Sequence, residues 1–126
     1  MKKVLSIIIL IVFLFLLYAC ANSENIAQKI PLDKEMFNSV LMKKESGEYY
    51  GEYIHNEKFL SVKLNVIISE NSIKEIIILE HKNGLGKNAE SIIYDVIQKN
   101  SLDVDIVSGA TYSSRCILKA IENALK

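Results

Sequence analysis

The sequence contains no tryptophan, a single proline, two cysteines and two histidines in 126 residues. Two cysteines, Cys20 and Cys116, allow at most one internal disulfide. The histidines, His55 and His81, are far apart and lack ligand-spaced neighbours, so no metal site is expected. Charge of one sign is missing too. Basic and acidic residues number 15 each, and setting aside Lys2 and Lys3 leaves the acids two ahead. That balance gives no basic surface for nucleic acid. No glycine fingerprint lies between an early strand and helix, which excludes a nucleotide-binding Rossmann unit. The length suits one domain.

What the chain does have begins at its first residues. Met1-Lys2-Lys3 precede residues 4–19, VLSIIILIVFLFLLYA, which carry no charge. A basic start and an apolar run read as a secretory signal or a membrane anchor over 1–19. A helix apolar on every face has no side to show to water. Leu17-Tyr18-Ala19-Cys20 resembles a bacterial lipobox, in which the cysteine is lipidated after cleavage. Lipidation at Cys20, a retained helix and ordinary cleavage remain alternatives. Each places the domain at a membrane or outside the cytoplasm, with membrane lipid as a partner in the first two.

Residues 21–31 are polar, end in Pro31 and read as a tether, so that 20–46 forms the lipobox cysteine, tether and a short helix. Met36, Phe37, Val40 and Leu41 predict that helix over 33–44, with Asp33 as its cap. The compact domain is expected over 47–126. Residues 47–54 suggest a strand bent at Gly51. Leu60, Val62, Leu64, Val66 and Ile68 alternate with Ser61, Lys63 and Asn65, the pattern of a strand with one buried face. Glu70, Asn71 and Ser72 supply a turn. The apolar run within 73–80 suggests a central strand. Ala89, Ile92, Ile93, Val96 and Ile97 predict a helix over 87–99, ended by Asn100. Residues 102–107 read as a short strand, and 113–125 as a last helix. On that helix Ile117 and Ile121 face the core, while Lys119 and Glu122 face water. The fold class is therefore α+β, a small mixed sheet with helices packed on one face.

Chemistry concentrates in 108–114, Ser-Gly-Ala-Thr-Tyr-Ser-Ser. Gly109 and Ala110 leave space beside the backbone. Ser108, Thr111, Ser113 and Ser114 offer hydroxyls, and Tyr112 offers a ring. A helix beginning here presents amides that favour an anion such as phosphate, with Arg115 and Lys119 adding charge. Alternatively, Ser113 caps the helix and the loop is a plain turn. No acid–base constellation accompanies the loop.

The segment Asp105-Ile106-Val107-Ser108-Gly109-Ala110-Thr111 matches the pattern D-x-x-S/T-G-A-T/S. In this it resembles the FMN-binding domain family, found in flavoprotein subunits of sodium-pumping NADH:quinone reductases and related electron-transport complexes. Gly84-Leu85-Gly86 is similar to that family's glycine loop, and Glu90 to an acidic residue after it, although Asn83 stands where many members have proline. The opening GEYYGEY is similar as well. The resemblance implies FMN as cofactor, joined through its phosphate to Thr111 by a flavin transferase that recognises Asp105. It implies that Ser108, Gly109, Ala110, Tyr112, Ser113, Gly84, Leu85 and Gly86 surround the flavin. The expected role is that of an electron carrier on the extracytoplasmic side of the cell membrane, exchanging electrons with a membrane donor or acceptor protein. Two other classes stay open: a flavin-dependent reductase of a small extracellular acceptor, and an FMN-free structural or binding lipoprotein.

Overall fold

A computed structural model describes residues 1–27, 30–55, 59–83 and 86–126, with side chains described outside 19–27. The elements are α1 (Lys2–Ala27), α2 (Lys34–Leu41), β1 (Gly47–His55), β2 (Leu60–Ser69), β3 (Ser72–Lys82), a 3-10 helix (Lys87–Ser91), α3 (Ile92–Lys99) and α4 (Thr111–Leu125).

The three strands form one sheet in the order β1-β2-β3, antiparallel at both junctions. Among the described residues the sheet is thus not mixed, and the strand expected over 102–107 is absent. There the backbone turns on local partners: the Val104 amide donates to the Leu102 carbonyl, and the Val107 amide to Ser114 Oγ. The alternation in this segment buries Leu102 without joining it to the sheet.

β2 is the central strand, and each of Leu60, Val62, Leu64, Val66 and Ile68 is buried. β3, expected at the centre, lies at an edge. Two register shifts in its pairing with β2 break the alternation, and Leu79 is left 54% exposed. β2 and β3 meet at Glu70 and Asn71, both at positive φ (53° and 57°), as a two-residue primed hairpin turn demands.

α4 lies across the inner face of β1 and β2. Gly51 makes no bend: it stays in register opposite Leu64. Its lack of a side chain admits α4, since a Cβ there would lie 2.1 Å from the Ala120 carbonyl oxygen. The helix expected over 87–99 is divided into a 3-10 turn and α3. Ala89, Ile92 and Val96 are buried, and Asn100 ends α3 in the left-handed conformation.

Asp33 caps α2 by accepting from the Met36 amide at 2.9 Å. Phe37 and Leu41 enter the core, as does Ile30, so the stretch read as a tether is helical to Ala27 and held to the domain at its far end. The segment is also clipped to α4. Lys119 Nζ donates to the Pro31 carbonyl at 2.8 Å, and the Asp33 amide donates to Glu122 Oε2 at 3.4 Å. Glu122, expected to face water, is 1% exposed and paired with Lys119 and Lys126. Lys119 is likewise turned away from solvent. The helical period alone assigned these two residues to the outer face, but the N-terminal segment covers it.

Every apolar side chain of α1 from Val4 to Tyr18 is more than half exposed. Among the described residues no helix is long and apolar enough to cross a membrane.

Candidate functional site

The site loop leads into α4, whose second residue, Tyr112, stacks on His55 at the end of β1. The last helix begins two residues earlier than the sequence suggests, at Thr111 rather than Ser113. Ala110 occupies the cap position and makes no side-chain cap bond. Ser113 is therefore not a cap. It lies in the first turn, buried, and Ser114 behind it is fully buried. Ser114 Oγ accepts from the Val107 amide at 3.2 Å, which pins the loop to the helix that follows. The Ala110 amide donates to the Val107 carbonyl, closing a turn around Ser108 and Gly109.

Gly109 has φ +77°, a conformation that L side chains rarely adopt, and a Cβ there would meet nothing within 4 Å. The backbone beside Thr111 is thus open to a bulky group. Ser108 and Asp105 are exposed, while Thr111 is half-buried at the helix start. Arg115 follows Thr111 by one turn, a spacing that puts both on the same helical face. Its Nε is buried without a hydrogen-bond partner among the described residues. Lys119 contributes nothing here, because its ammonium is committed to Glu122 and the Pro31 carbonyl.

The glycine loop meets this helix. A Cβ on Gly86 would lie 1.9 Å from Ser113 Oγ, so the two segments touch through a glycine. Gly84 and Leu85 lie outside the described residues, as does the side chain of Cys20.

His55 joins the site and His81 lies on the same face of the sheet, though no spacing rule singled out either. His55, at the end of β1, stacks on Tyr112 with ring centroids 6.1 Å apart, and on Tyr53 at 6.4 Å. His81, near the end of β3, places Nδ1 2.9 Å from Glu90 Oε1. Both occupy the inner face of the sheet, at the end nearest Thr111. Period-two alternation along β1 from Gly51 would have placed His55 there. The bulges in β3 hid the same relation for His81.

Cys116, one turn into α4, is buried, and burial pushes its thiol up to about 11. Tyr53 is raised by burial first and by the neighbouring Cys116 second. Cys116 is thus a packing residue in the thiol form. A groove of about 410 Å³ lies on the opposite face of the sheet, lined by Glu52, Ile54, Phe59, Lys63 and Glu80 among others, away from this loop.

Residues 60–126 match the family model described as FMN-binding domain. Among curated proteins, NADH:acrylate oxidoreductase of Vibrio harveyi is 34% identical over 113 residues. The match covers 86% of this chain and 11% of that protein.

Proposed function

The chain belongs to the FMN-binding domain family, and from this we propose that it is a membrane-held electron carrier with FMN joined through its phosphate to Thr111. FMN is the cofactor. When bound, it supplies the reversible redox chemistry that side chains lack.

The residues present fit that group. The open backbone at Gly109 gives a transferase access to the Thr111 hydroxyl. The first turn of α4 favours a phosphate by its dipole and amides. Arg115 stands one turn below, with a buried Nε unpaired among the described residues. The juxtaposition of Thr111, Gly109 and Arg115 is the observation that carries the reading. In this reading Thr111 Oγ1 is an attachment point, and Arg115 balances the phosphate charge. Tyr112, backed by the His55 ring, borders the flavin together with Ser108, Ala110, Ser113 and the glycine loop. Asp105, exposed and unburdened by any ion pair described, is the handle for the transferase.

The chain spans 11% of its oxidoreductase relative, and the part it spans matches the FMN-binding domain, which supports a flavin-bearing module that passes electrons. Its place is at the cell membrane, on the extracytoplasmic side. The apolar surface of α1 from Val4 to Tyr18 calls for lipid or for removal, and Cys20 supplies an attachment point for lipid after removal. Its electron partner is a membrane protein.

Intact mass after coexpression with a flavin transferase tests the linkage. An added FMN mass, mapped to a peptide spanning 108–115, is expected. A correctly folded chain that gains no flavin beside an active transferase refutes it. Fatty-acid labelling that vanishes in Cys20→Ser tests the anchor. Recovery of the native protein from a soluble cytoplasmic fraction refutes the localisation.

A further inference from the structure

His81 carries a buried imidazole that is held at one ring nitrogen and unpartnered at the other, among the described residues. Its side chain is 2% exposed. Nδ1 meets Glu90 Oε1 at 2.9 Å, while Nε2 is buried with no hydrogen-bond partner among the described residues. Nδ1 lies 2.9 Å from the Glu90 carboxylate oxygen and 3.5 Å from Asn83 Nδ2; the shorter contact favours the tautomer in which Nδ1 donates to Glu90, and in that tautomer Nε2 is left with a bare lone pair. Buried polar atoms of this kind are rarely left unmatched, and each exception calls for an explanation.

The position says which partner. His81 pairs across the ladder with Val62, on the inner face of the sheet that also carries His55. Asn83 Nδ2 donates to the His81 carbonyl at 3.2 Å, and the Gly86 amide donates to the Asn83 carbonyl at 2.7 Å. Gly86 in turn abuts Ser113, two residues beyond Thr111. These contacts connect the His81 backbone to the first turn of α4, which begins at Thr111. FMN offers donors to match a lone pair: the ribityl hydroxyls and the ring N–H.

We propose that His81 Nε2 accepts a hydrogen bond from the bound FMN, and that Glu90 is the positioning residue that fixes the imidazole for it. This rests on FMN lying beside Thr111, but not on its being covalently joined there.

The test is ¹⁵N NMR of the histidine ring nitrogens in the full chain, without FMN, after loading by the transferase, and with added free FMN. Intact mass reports covalent loading separately. The His81 Nε2 resonance should move on loading, with Nδ1 retaining its proton. His81→Leu should weaken binding of free FMN by about tenfold, the worth of one good hydrogen bond. Glu90→Gln should leave a smaller defect. An adduct of the correct mass with an unmoved Nε2 resonance overturns the proposal and leaves the Thr111 attachment standing. No adduct, but an Nε2 shift with free FMN, supports the proposal and overturns the covalent link. No shift in either case overturns it. Because the NMR is read on the unmutated protein, a His81→Leu chain that fails to fold does not decide the matter.

Discussion

Gly86 and Ser113 are in direct contact: a methyl on the glycine would lie 1.9 Å from the serine hydroxyl oxygen and 2.6 Å from its Cβ. The glycine loop and the hydroxyl-rich helix start are therefore one structural unit, although 27 positions separate the two residues. Gly86→Ala should cost about 1–3 kcal/mol through overpacking. The loss should shrink in a Ser113→Gly background, where the clash has no second partner. Denaturant melts of the four proteins in this cycle measure the coupling, and additive losses would separate the two residues.

Gly51 makes the equivalent contact in the C-terminal half of α4. Its Cβ would fall 2.1 Å from the Ala120 carbonyl oxygen and 2.9 Å from the Ala124 amide nitrogen, both backbone atoms with little freedom to retreat. Gly51→Ala should therefore cost about 3 kcal/mol, at the upper end of overpacking losses. Gly47→Ala on the same strand is the control. Its nearest neighbours are atoms of the Tyr49 side chain, at 3.7 Å, so its effect should stay within about 1 kcal/mol. Equal losses at the two glycines would show that strand propensity, and not the approach of α4, decides.

The contrast between these glycines marks what a single sequence discloses. β2 was legible because one strand with one buried face imposes a strict period of two. The Glu70–Asn71 turn and the Asp33 cap were legible because each is settled within four residues. The Asp105–Thr111 segment was legible as a pattern, since the resemblance depends on adjacent residues. What failed depended on distant partners. Gly51 looked like a bend because its neighbour, Ala120, is 69 positions away. Leu102, Val104 and Ile106 alternate like a strand, but no sheet edge receives their backbone. His81 could not be assigned to the inner face while two bulges shifted the phase of β3. Glu122 was placed in water because its amide donor, at Asp33, lies 89 residues earlier.

Glu122 gives a pH-dependent prediction. Burial opposes its ionisation, but hydrogen bonds from Lys126 and Lys119 and the Lys119 charge outweigh that, and the carboxyl is held below its ordinary value of 4.5. A group depressed in the folded state stabilises fully above its unfolded value and loses that contribution as pH falls through the folded one. Stability should thus decline as pH drops below about 4.5, and Glu122→Gln should flatten part of that decline. At neutral pH, Glu122→Ala should cost about 1–3 kcal/mol, because Lys119 and the Asp33 amide lose their acceptor. Ile121→Ala, at a fully buried site, should cost about 2–4 kcal/mol. Melts across pH 3–8 measure all three. A Glu122→Gln curve parallel to wild type would remove this carboxylate from the acid response.

Thr111 and Arg115 share one face of α4, and that pairing yields the sharpest prediction about the site. Thr111→Val keeps the branched shape and removes only the hydroxyl. At a half-buried helix start it should shift stability by under about 1 kcal/mol. It should gain no FMN mass on coexpression with the transferase. Arg115→Gln keeps a polar side chain and removes the charge one turn away. It should leave the hydroxyl in place yet slow loading, because the phosphate loses a charge-assisted partner on the same helical face. The loss should be several-fold, corresponding to about 1 kcal/mol. Ser108→Ala should load, though more slowly than wild type, and Asp105→Ala should lower loading more than it lowers stability. The order of loading, read by mass against time, is wild type, then Ser108→Ala and Arg115→Gln, then Asp105→Ala, with Thr111→Val at zero. Covalent flavin on Ser113 or Ser114 in the Thr111→Val chain would keep the cofactor and refute the residue. An Arg115→Gln chain that loads at the wild-type rate would leave its buried Nε to a structural role and the phosphate to the helix amides alone.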